Sequence, residues 1–184
     1  MATHAATIAE PGVIPAGTYE IDSAHTSLQF VARHLMVAKV KGRFREFSGR
    51  ITIDDDVRNS TAELTISAAS IDTQEPYRDE HMRSGDFLDA ERFPNITFKS
   101  TRVDPSGAID GELTIRDVTR PVTLDVEFNG ATVDPYGNDR IVASASTTIN
   151  REDWGLTWNQ PLTNGGVLVG KDVGIEIEVE AIRK

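Results

Sequence analysis

The chain has 184 residues, a formal net charge of −10 and no cysteine. The length suits one domain whose core needs no covalent staples, and the missing thiols exclude disulfides, thiolate metal sites and cysteine nucleophiles. The negative charge disfavours nucleic acid as a partner, because that binding rests mainly on neutralising phosphates, and it argues against a strongly anionic membrane surface as the main partner.

Residues 1–16, rich in Ala, Thr, Pro and Gly, read as a loose tail ahead of a single domain at 17–184. The tail lacks the basic and apolar regions of an export signal, and the chain holds no run of eighteen apolar residues. The expectation is therefore a cytoplasmic protein that does not span a membrane. From Gly17 onward the dominant hydrophobic period is two, which predicts strands near 18–34, 40–54 and 61–72.

The stretch EPYRDEHMRSGDFLDAERFP, Glu75 to Pro94, interrupts this pattern. Asp72 fits a helix N-cap with Glu75 in capping-box position, Pro76 suits a first turn, and Asp79 and Arg83 stand at i,i+4. Gly85 suits the stop. One short helix over about 75–84 is expected, closing an opening of the β-structure.

Strands resume near 95–104 and 108–117. Residues 119–130 set Val122, Leu124, Val126 and Phe128 against Thr123, Asp125 and Glu127. A strand near 140–150 is small on both faces, and DVGIEIEVEAI alternates apolar residues with Glu176, Glu178 and Glu180. Turn chemistry at 54–56, 104–107, 134–139 and 164–166 separates the runs. About eight evenly spaced strands predict an all-β antiparallel sandwich or barrel. Small residues on 141–149, facing Leu28, Phe30, Phe44, Phe87, Phe98, Trp154 and Trp158, fit either an internal cavity or large-and-small interdigitation.

Five segments carry a resemblance: YEIDSAHTSLQFVARHLMVAKVKGRF, SIDTQEPYRDEHMRSGDFLDAERFPNITFKST, GELTIRDVTRPVTLDVEFNG, DPYGNDRIVASA and INREDWGLTWN with GGVLVGKDVGIEIEVE. In this order the chain resembles the YceI-like family of polyisoprenoid-binding proteins from about Gly17 to Ile182. The resemblance implies an extended, eight-stranded, lipocalin-like barrel. It also implies an apolar tunnel for an isoprenoid chain such as a polyprenyl phosphate or isoprenoid quinone, a polar head near the mouth, and a homodimer. The bound lipid is the only cofactor-like group expected.

The residues weigh against catalysis. Neither G-x-S-x-G nor a glycine-rich phosphate loop is present. His25 is expected to bond Asp22 or a backbone carbonyl. His34 shares the dry parity of Leu28, Phe30 and Ala32, and needs either a ligand head group or Asp79 or Glu80 as partner. Arg78 and Arg83 fit a phosphate, or equally Asp86, Asp89 or Asp153. Lys39, Lys41, Arg43 and Arg45 form a basic stripe, read either as a solvated outer face or as a lure for an anionic head group or lipid surface. The expected ligand-binding set is His34, Arg78, His81 and Arg83 with Leu28, Phe30, Phe44, Phe87, Phe98, Trp154 and Trp158. The expected role is a lipid carrier or sequestering protein. The alternative is a metal protein or enzyme using His34 and His81 at the mouth.

Overall fold

Alternation commits one face of each strand to an interior, and closing the sheet hides that face without leaving an edge. The computed structural model, which describes residues 14–184, closes it. The strands are β1 (Gly17–Ile21), β2 (Ser27–His34), β3 (Ala38–Phe44), β4 (Phe47–Ile53), β5 (Thr61–Ser67), β6 (Ile71–Asp72), β7 (Asn95–Val103), β8 (Ala108–Ile115), β9 (Val118–Val133), β10 (Asp139–Asn150) and β11 (Val169–Arg183).

Three pairs of these lie end to end. β1 and β2 both flank β11, with Ile21 opposite Ala181 and Ser27 opposite Glu178. β3 and β4 together run against them, with Phe44 opposite Leu28 and Arg50 opposite Glu20. β5 and β6 continue alike, with Ile66 opposite Phe47 and Ile71 opposite Phe44. The eight resulting staves follow one another antiparallel in chain order, and the last pairs with the first: a closed eight-stranded antiparallel barrel.

The expected strands 18–34, 40–54 and 61–72 are thus each broken once. Around 22–26 the Asp22 side chain turns the chain by accepting the Ala24 amide at 3.0 Å. At 45–46 the Arg45 amide turns to the Ser70 carbonyl at 3.2 Å. At 68–70 a 3-10 turn, Ala68–Ser70, intervenes.

The one α-helix among the described residues, α1 (Pro76–Arg83), joins β6 to β7. Its N-cap is Glu75, whose carboxylate accepts the amides of Tyr77 at 3.3 Å and Arg78 at 2.6 Å. Asp72 does not cap it, contrary to expectation. Its carboxylate accepts from Arg43 at 3.1 Å and Arg45 at 2.8 Å across the β3–β6 pairing, which leaves it committed to the sheet. Asp79 and Arg83 do not pair either, because each turns to the barrel's own chain. Asp79 is buried and accepts from Thr73, and Arg83 donates to the carbonyls of Ala69 at 2.7 Å and Ile71 at 3.1 Å.

The interior divides in two. At the end holding the chain's first strand and last residues, Tyr19, Ile141 and Ala181 pack with Ile51, Ile53, Phe128 and Ala131. At the helix end a larger cluster gathers Ile71, Leu88, Ile96, Phe98, Leu113 and Trp154, with Met82 of α1 packed against it. Of the tail expected over 1–16, residues 1–13 lie outside the described residues. The carbonyls of Pro15 and Ala16 accept from the Tyr19 hydroxyl at 2.9 Å and from Arg183 at 2.7 Å.

Candidate functional site: an apolar cavity with cationic walls at the helix end

The helix-end half of the barrel is not filled. A cavity of about 260 Å³ lies there, bounded by strand residues and by α1. Leu28, Phe30, Ala32 and His34 of β2 face it on one parity, as do Val122 and Leu124 of β9, Thr147 and Ile149 of β10, and Val173, Ile175 and Ile177 of β11. Phe44, Leu64, Ile66, Phe98 and Leu113 are among the other strand residues on the wall. Met82, Phe87 and Leu88 close over it from the helix and the segment that follows.

Two glycines keep this room open. Gly42 stands opposite Phe30 in the β2–β3 ladder, and a Cβ there would fall inside the Phe30 ring edge. Gly111 of β8 has the same relation to the Phe98 ring. Each ring lies over its glycine and along the wall instead of standing into the lumen, an arrangement only the missing Cβ allows.

The polar residues along the wall are Gln29, Arg33, His34, Thr73, Arg78, Thr147 and Arg151, three of them arginines, and among the described residues no carboxylate lines it. Arg33 and His34 end β2. Alternation sends Arg33 outward with its ladder partner Lys39, leaving it exposed at the cavity rim, while His34 faces in, opposite the irregularity of β11 between Val169 and Val173. Arg78 reaches in from α1, its Nε donating to Thr73 Oγ1 at 2.7 Å and its Nη2 to the Thr73 carbonyl at 2.8 Å. Thr73 in turn donates to buried Asp79 from its Oγ1 at 2.5 Å and its amide at 2.8 Å, so the helix is latched to the residue that follows β6 through hydroxyl, amide and carbonyl together. Arg151 is buried at the end of β10. It donates to the carbonyls of Gly170 at 2.9 Å, Val169 at 3.3 Å and Leu156. Burial pushes this guanidinium's pKa down from its ordinary value, partly offset by the charge of Glu152. An apolar chamber whose charges are all of one sign suits an amphiphile with an electron-rich head.

Of the residues singled out in the sequence, Leu28, Phe30, His34, Phe44, Arg78, Phe87 and Phe98 lie on the cavity wall. His81, Arg83, Trp154 and Trp158 lie off it. Trp154 is buried behind the wall, its indole N–H donating to the Leu113 carbonyl at 3.0 Å. Trp158 and Phe87 clasp His81 edge-on, with ring centroids 4.6 and 5.1 Å away, while His81 Nε2 stands 2.7 Å from Asp86. Arg78 and Arg83 pair with none of Asp86, Asp89 and Asp153, because Thr73 and the backbone carbonyls of the β5–β6 segment accept their N–H groups. The outer stripe is exposed as its parity demands, with Arg43 and Arg45 on Asp72.

Sequence reasoning missed Thr73 and Arg151. Parity held the signal for both: Thr73 continues Ile71, and Arg151 continues Thr147 and Ile149. Among the described residues, one group of three metal-ligand types converges, Asp22, His25 and Glu180. His25 Nδ1 meets Asp22 at 2.8 Å, and Arg140 already holds Asp22 at 2.7 Å and Glu180 at 3.3 Å. His34 and His81 belong to no such group.

An up-and-down antiparallel barrel with an apolar chamber and a helical cover defines the architectural class as lipocalin-like. The family model for the YceI-like domain matches residues 19–181, and the chain belongs to that family. A UPF0312 protein of Staphylococcus aureus strain MSSA476 is 42% identical over 164 residues, covering 88% of this chain and 95% of that protein. The Campylobacter jejuni YCEI protein is a solved structure at 31% identity and TM-score 0.70, covering 83% of this chain and 90% of its own. Two further solved structures share the fold. Burkholderia cenocepacia BcnA has 23% identity and TM-score 0.72, covering 87% and 98%. A polyisoprenoid binding domain from Saccharophagus degradans has 16% identity and TM-score 0.67, covering 92% and 100%.

Proposed function

We propose that this protein binds a long-chain isoprenoid or related amphiphilic lipid, such as a polyprenyl phosphate or isoprenoid quinone, and acts as its carrier or sequestering agent. The observation that carries this reading is the chamber itself: about 260 Å³ of room with apolar walls, His34, Arg78 and Arg151 as its charged or ionisable members, and Arg33 at the rim. An apolar chain gains about 25 cal/mol per Å² removed from water, less the ordering cost. The guanidiniums orient a phosphate or carbonyl head. The solved polyisoprenoid binding domain that shares the fold supports the same ligand class.

The test is native mass spectrometry of the purified protein, with organic extraction of what it carries. The expected result is a stoichiometric long-chain lipid, or uptake of an added polyprenyl phosphate or quinone by the stripped protein. A protein that neither carries nor takes up such a chain defeats the reading.

A further inference from the structure

The β2–β3 hairpin is built against its own turn chemistry. Leu35 and Met36 adopt φ of 53° and 67°, a region that suits Gly, Asn or Asp and that bulky L-residues rarely enter. The same loop leaves Leu35, Met36 and Val37 45%, 52% and 81% exposed, three consecutive large apolar side chains in water. The tip is nonetheless held in place: the Leu35 amide donates to the Leu168 carbonyl at 2.9 Å, and Gly166 lies under the Met36 side chain.

The charge around the tip is equally one-sided. No acidic residue occurs between Asp22 and Glu46, and the bracing loop carries no charge from Asn159 to Gly170. Arg43 and Arg45 are engaged by Asp72, but among the described residues Arg33, Lys39 and Lys41 pair with no carboxylate. The tip also stands at the cavity's own end of the barrel, since Arg33, at the cavity rim, and His34, on its wall, run straight into it.

We propose that residues 33–41 form a membrane-docking element, in which Leu35, Met36 and Val37 enter the interface of an anionic bilayer while Arg33, Lys39 and Lys41 hold its phosphates. Apolar side chains ringed by cations are what such an interface attracts. The chain's net charge of −10 does not oppose this. It is a whole-molecule sum, and exposed charges more than about 8 Å away are screened at physiological ionic strength. The proposal rests on the hairpin and is independent of what the cavity holds. Together with the carrier reading, it sets the cavity's end of the barrel against the bilayer.

Full-length protein sedimented with vesicles of phosphatidylcholine and phosphatidylglycerol should bind them, and bind vesicles of phosphatidylcholine alone less. Val37→Asp should weaken binding roughly tenfold, from the lost burial of one aliphatic side chain. Lys39→Ala should weaken it roughly fivefold and flatten its salt dependence. Tyr136, 90% exposed in the β9–β10 turn at the opposite end of the barrel, provides the control, and Tyr136→Asp should bind like the parent. The proposal fails if the parent ignores the mixed vesicles, if Val37→Asp binds as well as the parent, or if Tyr136→Asp is weakened as much. It also fails if Val37→Asp only dissolves a dimer in analytical ultracentrifugation. Vesicle binding by protein that never carries a lipid would uphold the docking element and defeat the carrier reading.

Discussion

Replacing Arg151 with Met removes the buried guanidinium at the end of β10 while keeping most of its bulk. Three backbone carbonyls lose a donor: those of Leu156, Val169 and Gly170. Val169 keeps one, because Asn159 Nδ2 also donates to it at 2.7 Å. Two carbonyls are therefore orphaned, each costing about 1–3 kcal/mol. The substitution also relieves the desolvation of a buried charge with no carboxylate hydrogen-bonded to it, which offsets part of that loss. The net is about 3 kcal/mol of destabilisation. For a chain of this size that corresponds to a drop of roughly 6–12 °C in Tm. Differential scanning calorimetry of the parent and the variant measures it directly. Arg151→Lys keeps a charge but reaches fewer carbonyls, and should fall between them. An Arg151→Met variant that melts with the parent would refute the assignment of Arg151 as the tie between β10 and the entry to β11.

Three other outcomes follow from the same geometry. Gly42→Ala or Gly111→Ala should push the Phe30 or Phe98 ring into the chamber. Each should cost about 1–3 kcal/mol by overpacking and reduce lipid uptake, read by denaturant unfolding and native mass spectrometry; unchanged uptake would place the rings elsewhere. Arg78→Met breaks the latch to Thr73. It should destabilise by about 1–3 kcal/mol and weaken a polyprenyl phosphate more than a neutral quinone in competition binding, whereas an equal loss for both ligands makes Arg78 structural only. The Arg140 guanidinium, then His25, holds the Asp22 carboxyl down to about 2. Its contribution to stability is therefore complete above the unfolded carboxyl's pKa of about 3.9 and lost as the pH falls toward 2. Asp22→Asn should flatten the pH dependence of Tm in that window, and a slope as steep as the parent's would remove Asp22 from the account.

The staves of the barrel were legible because period two is a local property and each inward face must be dry. The breaks within three of them were not: the one at 45–46 is set by Ser70, far along the chain, and the short local turns at 22–26 and 68–70 leave the hydrophobic period on either side almost unchanged. The helix was legible from its charge run and Pro76, but its cap was misread. A proline at the first helical position makes the preceding residue, Glu75, the natural cap, and Asp72 is drawn away by arginines on β3. The cavity wall was partly legible by parity, which reached Leu28, Phe30 and His34 on β2 and, carried two residues past Ile149 of β10, reaches Arg151. Parity says nothing about whether facing side chains meet. The space between Phe30 and Phe98 exists because Gly42 and Gly111 let the rings lie flat, a relation between strands that no single segment records. The fate of Arg78 and Arg83 was also illegible, since nearby aspartates offered plausible partners and only the folded path of residues 69–73 supplied the carbonyls that win.

The Tyr19, Ile141 and Ala181 cluster has a consequence for whatever enters. It makes the compartment a blind well with a floor, so a guest leaves by the route it came in and its tail tip goes in first. The wall on β11 runs from Val169 to Ile177, eight steps of about 3.3 Å each, or roughly 20 Å of depth once barrel tilt is included. Such a floor acts as a ruler: chains that touch bottom gain nothing from further carbons, and the surplus must fold back or remain outside.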